Sequence, residues 1–81
     1  MSQSPKPSGL TSAHVVAELM AIRKKQGLSH ETLATMTKLH RSTISLIESG
    51  KREPTLRTVL RLSTALDVKL SDILKKLEKS N

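Results

Sequence analysis

The segment from Ser29 to Lys51, which reads SHETLATMTKLHRSTISLIESGK, constrains the fold more than any other part of the chain. Apolar and small residues recur in it at helical spacing, first over residues 30–37 and again over residues 41–48. Ser29 is a favourable N-cap, and Gly50 can adopt the left-handed conformation that ends a helix. We therefore predict two short helices joined by a tight turn. Their expected inward-facing residues are Leu33, Ala34, Thr37, Ile44 and Ile47.

The flanking sequence continues the helical pattern, and no part of the chain alternates with the period of a strand. Three further helices are predicted at about 12–26 after a cap at Thr11 or Ser12, at 56–66 after Thr55, and at 72–79 after Ser71. Their expected inward residues are Val15, Leu19 and Ile22, then Leu56, Val59, Leu62 and Leu66, then Ile73, Leu74 and Leu77. The fold class is therefore all-α. Residues 1–10, rich in Ser, Pro and Gly, are predicted to be a disordered arm, which leaves 11–81 as the domain.

Composition narrows the possible partners. The 81 residues carry a net charge of +7 and contain no Phe, Tyr, Trp or Cys. Such a surplus of positive charge favours a polyanionic partner, although charge alone also serves solubility. The absence of aromatic residues excludes single-strand binding by base stacking, and the absence of cysteine excludes disulfides and thiolate metal sites.

Catalysis and membrane binding find no support in the sequence. The three histidines fall in different predicted elements, without Cys or carboxylates at metal-ligand spacing, so no metal or cofactor is expected. The three glycines form no phosphate-binding loop, and we predict that the chain is not an enzyme. No apolar run is long enough to span a membrane, and we expect a cytoplasmic, nucleoid-associated protein.

Two helices joined by a short turn form the layout of the DNA-binding helix-turn-helix. Residues 27–74, GLSHETLATMTKLHRSTISLIESGKREPTLRTVLRLSTALDVKLSDIL, resemble the XRE family, which includes the Cro and phage-repressor type of DNA-binding domain. The most specific matches are Leu33-Ala34, Ser42 to Ser45, Ile47 to Lys51, and Pro54 to Leu56. The resemblance implies a compact five-helix Cro/repressor-like domain that binds double-stranded DNA through its third helix.

The resemblance also implies which residues touch DNA. The base-reading positions that it assigns are Arg41, Ser42, Thr43 and Leu46. Arg41 can bond guanine O6 and N7 together, and the Thr43 methyl can contact thymine. Leu46 is an apolar residue where many relatives carry a polar reader, so it either packs on thymine methyl groups or makes a protein contact. The phosphate-binding positions are His30, Lys38, Ser45, Lys51 and Arg52.

The family pattern further implies a structural ion pair between Arg23, which lies beside the inward stripe of the first helix, and Glu48. The alternative is that Arg23 is an ordinary surface residue. Besides Leu46, two positions of the helix-turn-helix depart from the pattern: Lys38 stands where the family usually has Gly, and His40 replaces the Ser or Thr cap before the third helix. Asp67, after the fourth helix, also stands where the family usually has Gly. Lys38 costs about 1 kcal/mol if the turn needs a positive φ.

Two functions remain open at this point. The first is a transcriptional regulator, such as a repressor or small controller, that binds an inverted-repeat operator as a homodimer. The second is an antitoxin or adaptor that uses the same scaffold to bind a toxin or another protein. The long apolar stripe of the last helix is the expected dimer interface, with Leu70, Ile73, Leu74 and Leu77.

Overall fold

The computed structural model describes residues 10–80, which form five helices and no strand. The helices are α1 (Ser12–Lys25), α2 (His30–Thr37), α3 (Arg41–Glu48), α4 (Leu56–Ala65) and α5 (Leu70–Ser80). The all-α prediction is confirmed, and α2 and α3 begin and end where their caps predict. Nearly all of the predicted N-terminal arm lies outside the described residues. No helix within residues 10–80 has the length and apolarity required to cross a membrane.

Side-chain caps fix the starts of three helices. Thr11, Ser29 and Thr55 each accept a hydrogen bond from the backbone N–H three residues on. Each cap satisfies one of the N–H groups that a helix start otherwise leaves without a partner. The expected cap at Ser71 is wrong, because α5 begins earlier: the N–H groups of Asp72 and Ile73 already bond to the carbonyl of Lys69, at 3.0 and 3.2 Å.

The core is aliphatic and joins all five helices. The side chains that are almost completely buried are Leu19, Leu33, Ile44, Leu62 and Leu66. On α1 the buried row is displaced by one position from the prediction, since Val16 and Met20 are buried while Val15 and Ile22 are only partly covered. Both rows have helical spacing and share Leu19, so only the packing of the other helices selects between them.

Leu56 is the clearest correction to the predicted core. Its side chain is 67 % exposed, although Val59, Leu62 and Leu66 further along α4 are buried. Leu56 occupies the first position of α4, and helical side chains point back toward the N-terminus. Its side chain is therefore directed away from the core that the rest of α4 covers.

The predicted dimer stripe on α5 mainly covers this chain's own core. Ile73 is 4 % exposed and belongs to the core, and Leu70 and Leu77 pack against the core. Leu74 is half-buried. Ile73 therefore has almost no surface left to offer a partner, whereas Leu70, Leu74 and Leu77 keep part of theirs, and the interface stays a prediction.

Candidate nucleic-acid interface

The helix α3 follows a short turn that contains a residue in the left-handed conformation. Lys38 has φ 61° and ψ 32°, and its N–H bonds to the carbonyl of Ala34. The N–H of Leu39 bonds to the same carbonyl at 3.1 Å, so the chain reverses directly after α2. His40 then starts α3 without a side-chain cap. This tight turn holds α2 and α3 in the relative arrangement that a helix-turn-helix requires.

Two buried isoleucines orient α3. Ile44 and Ile47 are 1 % and 2 % exposed, so the opposite face of the helix turns to solvent. The side chains of Arg41, Ser42 and Ser45 are exposed, whereas Thr43 and Leu46 are half-buried. The first turn of α3 therefore presents a cation and hydroxyl groups, which can pair with base edges or phosphates.

The loop after α3 is held by one carbonyl group. The oxygen of Leu46 accepts bonds from the N–H groups of Lys51 and Arg52, at 2.9 and 3.2 Å, and from the Ser49 hydroxyl at 3.1 Å. Gly50 has φ 81°, which ends the helix. The side chains of Lys51 and Arg52 are exposed. Two exposed cations thus lie directly beyond α3, on a loop that these hydrogen bonds hold in place.

Glu48, at the end of α3, binds three basic side chains from α1 and α2. Nη2 of Arg23 lies 3.1 and 3.2 Å from its two carboxylate oxygens, and Nζ of Lys24 lies 3.4 Å from Oε2. Nε2 of His30 bonds to Oε1. The expected pair of Arg23 and Glu48 is thus present, while Lys24 and His30 are partners that the sequence did not reveal.

The contact with Glu48 gives His30 a structural role that the sequence did not predict. The ring lies at the start of α2 and its Nε2 bonds to the carboxylate, while the phosphate contact of His30 stays a prediction. Its side chain is only 30 % exposed. The two residues lie 18 positions apart in sequence, so helical periodicity contains no signal for the contact.

The electrostatics of Glu48 follow from these neighbours. Burial raises the pKa of its carboxyl group, but the hydrogen bond with His30, the charge of Arg23 and the hydrogen bond with Lys24 act in the opposite direction and prevail. The pKa is lowered below its ordinary value of 4.5. The carboxylate is therefore charged at neutral pH and holds α3 against α1 and α2.

Arg23 connects this cluster to the turn before α2. Its Nη1 donates to the carbonyl of Leu28 at 2.7 Å, and the N–H of Leu28 donates back to the carbonyl of Arg23 at 3.0 Å. Its Nε is buried and has no hydrogen-bond partner within residues 10–80. The guanidinium therefore fixes two of the segments that support α3.

The residues predicted to contact DNA lie in four places. The base-reading positions and Ser45 lie together on α3, and Lys51 and Arg52 lie beyond its C-terminal end. Lys38 lies in the turn before α3, and His30 lies at the start of α2. Nothing in the sequence indicated one further contact, in which the Ser12 hydroxyl donates to Oε2 of Glu53 at 3.0 Å. This bond ties the loop after α3 to the start of α1. In the described part of the chain, no three His, Asp or Glu side chains converge as a metal site.

Comparisons with known proteins agree with this geometry. The sequence profile of the HTH_3 helix-turn-helix family matches residues 19–73. The restriction-modification controller protein C.AhdI from Aeromonas hydrophila is 35 % identical over 76 % of this chain and 94 % of its own, with a TM-score of 0.70. An HTH_3 family transcriptional regulator from Vibrio cholerae is 24 % identical, covers 84 % of this chain and 38 % of its own, and has a TM-score of 0.74.

A search of curated proteins gave no match. The family match extends from the middle of α1 into α5 and includes the whole of α2, α3 and α4, so it is much longer than the helix-turn-helix itself. The resemblance to the XRE type of domain is thereby confirmed, and the chain belongs to the HTH_3 helix-turn-helix family of DNA-binding transcription regulators.

Proposed function

We propose that this chain is a sequence-specific regulator that inserts α3 into the major groove of double-stranded DNA. The observation that carries the proposal is the exposed first turn of α3, with Arg41 and Ser42 outward while Ile44 and Ile47 anchor the opposite face. In helix-turn-helix proteins the N-terminal residues of the recognition helix contact the base edges. The guanidinium of Arg41 suits bidentate pairing with guanine.

Thr43 and Leu46 complete the proposed reading face. Both are half-buried, so each offers part of its side chain to the groove, and their methyl groups suit the methyl group of thymine. Ser45 is exposed one helical turn after Arg41, and its hydroxyl can donate a hydrogen bond to a phosphate oxygen.

Backbone binding is assigned to cations on both sides of α3. Lys51 and Arg52 follow the helix and Lys38 precedes it, and all three are exposed. Each cation that neutralises a phosphate releases condensed counterions, so affinity should fall as salt rises. The Glu48 cluster contributes indirectly, because it fixes the angle at which α3 projects from α1 and α2.

A single recognition helix reads only a few base pairs, which is too little to select one site in a genome. We therefore propose that two copies bind an inverted repeat, with their α3 helices about 34 Å apart along the DNA. The similarity to a restriction-modification controller protein supports a small controller-type regulator, whether it represses or activates. Such a regulator would act at cytoplasmic DNA.

Selection of bound sequences from random duplex DNA tests this function most directly. We expect a recovered motif with two inverted half-sites, and binding to it that weakens steeply between low and moderate salt. A protein of equal net charge without a reading helix would also bind DNA, but it would enrich no motif. Failure to enrich any motif, or a preference for single strands, would refute the proposal.

A further inference from the structure

The two ring nitrogens of His30 have different surroundings. Nε2 bonds to Oε1 of Glu48, so it faces the cluster that holds α3. Nδ1 takes part in no hydrogen bond within residues 10–80. In the same part of the chain, Nε of Arg23 is the one buried side-chain nitrogen or oxygen atom without a partner, so Nδ1 of His30 retains access to solvent. The ring therefore presents one nitrogen to the protein and leaves the other for a group outside it.

The carboxylate of Glu48 decides which nitrogen carries the hydrogen atom. The pKa of Glu48 lies below its ordinary value of 4.5, so at neutral pH its oxygens are ionised and can only accept hydrogen bonds. Nε2 of His30 must therefore be the donor. A neutral imidazole has a hydrogen atom on only one nitrogen, so Nδ1 then presents a lone pair. In its neutral form, His30 cannot donate a hydrogen bond to a group outside the protein.

The helix α2 is the element that crosses the DNA backbone in the proposed complex, because the first helix of a helix-turn-helix lies across the backbone while the second enters the groove. His30 is the only residue of α2 that can carry a positive charge, and the next residue, Glu31, is an exposed acid. A phosphate oxygen is an anionic acceptor. It repels the lone pair of a neutral Nδ1 but forms a strong hydrogen bond with the N–H of an imidazolium.

We propose that His30 takes up a proton from solvent when this chain binds DNA. The resulting imidazolium donates Nε2–H to Glu48 and Nδ1–H to a phosphate of the DNA backbone. This inference rests on the proposed function, because the phosphate belongs to the duplex that α3 reads. The protonated ring also joins the backbone contact of α2 to the end of α3, since Glu48 is the last residue of that helix.

Cations of α1 already share the carboxylate that His30 binds. Nη2 of Arg23 and Nζ of Lys24 lie 3.1 and 3.4 Å from the oxygens of Glu48. Their charges repel a further positive charge on the ring, so the attraction of Glu48 is partly cancelled in the free protein. A phosphate beside Nδ1 adds a second anion, and this anion favours the imidazolium.

The other charged groups near α2 do not supply such an anion. Glu31 is exposed to solvent, which weakens its attraction for a cation, and it lines a groove with Arg41 of α3. The helix α4 also packs against α2, and the groove between them lies toward the other end of α2, near Met36. The charged residues that line it are all cations: Lys38, Arg57 and Arg61. Among the described residues, Glu48 is therefore the carboxylate that binds the ring, and DNA provides the additional negative charge.

Proton uptake makes the affinity for DNA depend on pH. Histidine is the side chain that ordinarily changes its charge between pH 5 and 8. A ring that is protonated in the complex binds its proton more tightly there than in the free chain. Affinity is therefore highest at low pH and falls as pH rises. One linked proton allows a decrease of up to about tenfold for each pH unit.

Titration of the selected duplex at pH 6, 7 and 8 and constant salt tests the proposal. The affinity of the parent should fall by about tenfold over this range, because one proton is linked to binding. His30→Gln should lose most of this decrease, since its amide group has two N–H donors at every pH, one for Glu48 and one for the phosphate. Circular dichroism at each pH establishes that both proteins remain folded.

The other two histidines provide matched controls. His40 is exposed directly before α3, and His14 is exposed in the first turn of α1. His40→Gln and His14→Gln should each keep the decrease in affinity that the parent shows. A His40→Gln variant with a flat pH profile, beside a His30→Gln variant with the profile of the parent, would assign the proton to His40 and overturn the proposal.

Nuclear magnetic resonance observes the proton directly. The Cε1–H signal of His30, identified by its absence from the spectrum of His30→Gln, reports the charge of the ring as pH is raised. In the DNA complex the ring should stay charged to a higher pH than in the free protein. A ring that is neutral in the complex at pH 7 overturns the proposal, as does a parent with equal affinity for its selected duplex at pH 6 and pH 8. A parent that selects no duplex at any pH overturns the proposed function instead.

Discussion

The guanidinium of Arg23 and the carboxylate of Glu48 meet across 25 positions of sequence, with Nη2 within 3.2 Å of both carboxylate oxygens. The side chains are only 11 % and 22 % exposed. This pair joins α1 to the end of α3, so it links the proposed reading helix to the first helix of the bundle. Its burial makes the fold most sensitive to the loss of Glu48, because the guanidinium of Arg23 then keeps only the carbonyl of Leu28 as a partner among the described residues.

Glu48→Gln should therefore destabilise the fold by about 3 kcal/mol, the lower end of the range for breaking a buried pair. The variant leaves the positive charges of Arg23 and Lys24, and the ring of His30, without their shared carboxylate. Urea unfolding followed by circular dichroism measures the change. Glu31→Gln, at an exposed position of α2, is the matched control, and its free energy of unfolding in urea should equal that of the parent. Equal stability of both variants would contradict a structural role for the cluster.

Stability should decline in acid because of the same carboxylate. The pKa of Glu48 is lowered in the folded state, so its contribution is complete above its ordinary pKa of 4.5 and is lost as pH falls through the lower folded value. Unfolding free energies measured from pH 6 down to pH 3 should show this decline. In Glu48→Gln the decline should be smaller. A variant with an unchanged pH profile would assign the acid sensitivity to other groups.

Arg41→Ala and Lys51→Ala should affect DNA binding in different ways. Loss of Arg41 should cost about 1–3 kcal/mol at the selected site and relax the preference at one base position. Loss of Lys51 should weaken binding to all sequences about equally. It should also reduce the slope of log affinity against log salt concentration by about one, because one phosphate contact is lost. Titrations with the selected duplex and with a scrambled duplex, each at two salt concentrations, distinguish these outcomes. If the two variants behave alike, reading and phosphate binding are not divided between these residues.

Substitutions at Lys38 should separate fold stability from DNA affinity. Its φ of 61° is a conformation that glycine adopts without steric cost, so Lys38→Gly should be about 1 kcal/mol more stable than Lys38→Ala. Both variants lose the proposed phosphate contact, and both should bind DNA less tightly than the parent. Thermal melting and DNA titration on the same three proteins provide the comparison. Identical melting of the Gly and Ala variants would show that this turn stores no strain.

Local features of the sequence were sufficient to place most of the helices. Ser29 and Thr55 act as caps because their side-chain oxygens lie within reach of backbone N–H groups three residues on. The turn at Lys38 and the left-handed φ of 60° at Asp67 were likewise expected from the family pattern. These features depend on neighbours within a few residues, so sequence spacing contains the information.

Contacts between helices were decided by tertiary structure. Helical spacing allows two adjacent apolar rows on α1, and the packing of the other helices buries the one with Val16 and Met20. The bond between His30 and Glu48 also depends on how α2 and α3 cross, which no periodicity specifies.

In α4 and α5, too, the sequence decided one property and the tertiary structure another. The sequence determined by itself that both helices are amphipathic, since apolar residues recur at helical spacing. Only the packed structure decided that Ile73 is covered by its own chain while Leu56 and Leu60 remain exposed. The physical reason is that an apolar pattern identifies side chains that favour burial away from water. It does not specify whether the surface that covers them belongs to the chain's own core or to a partner.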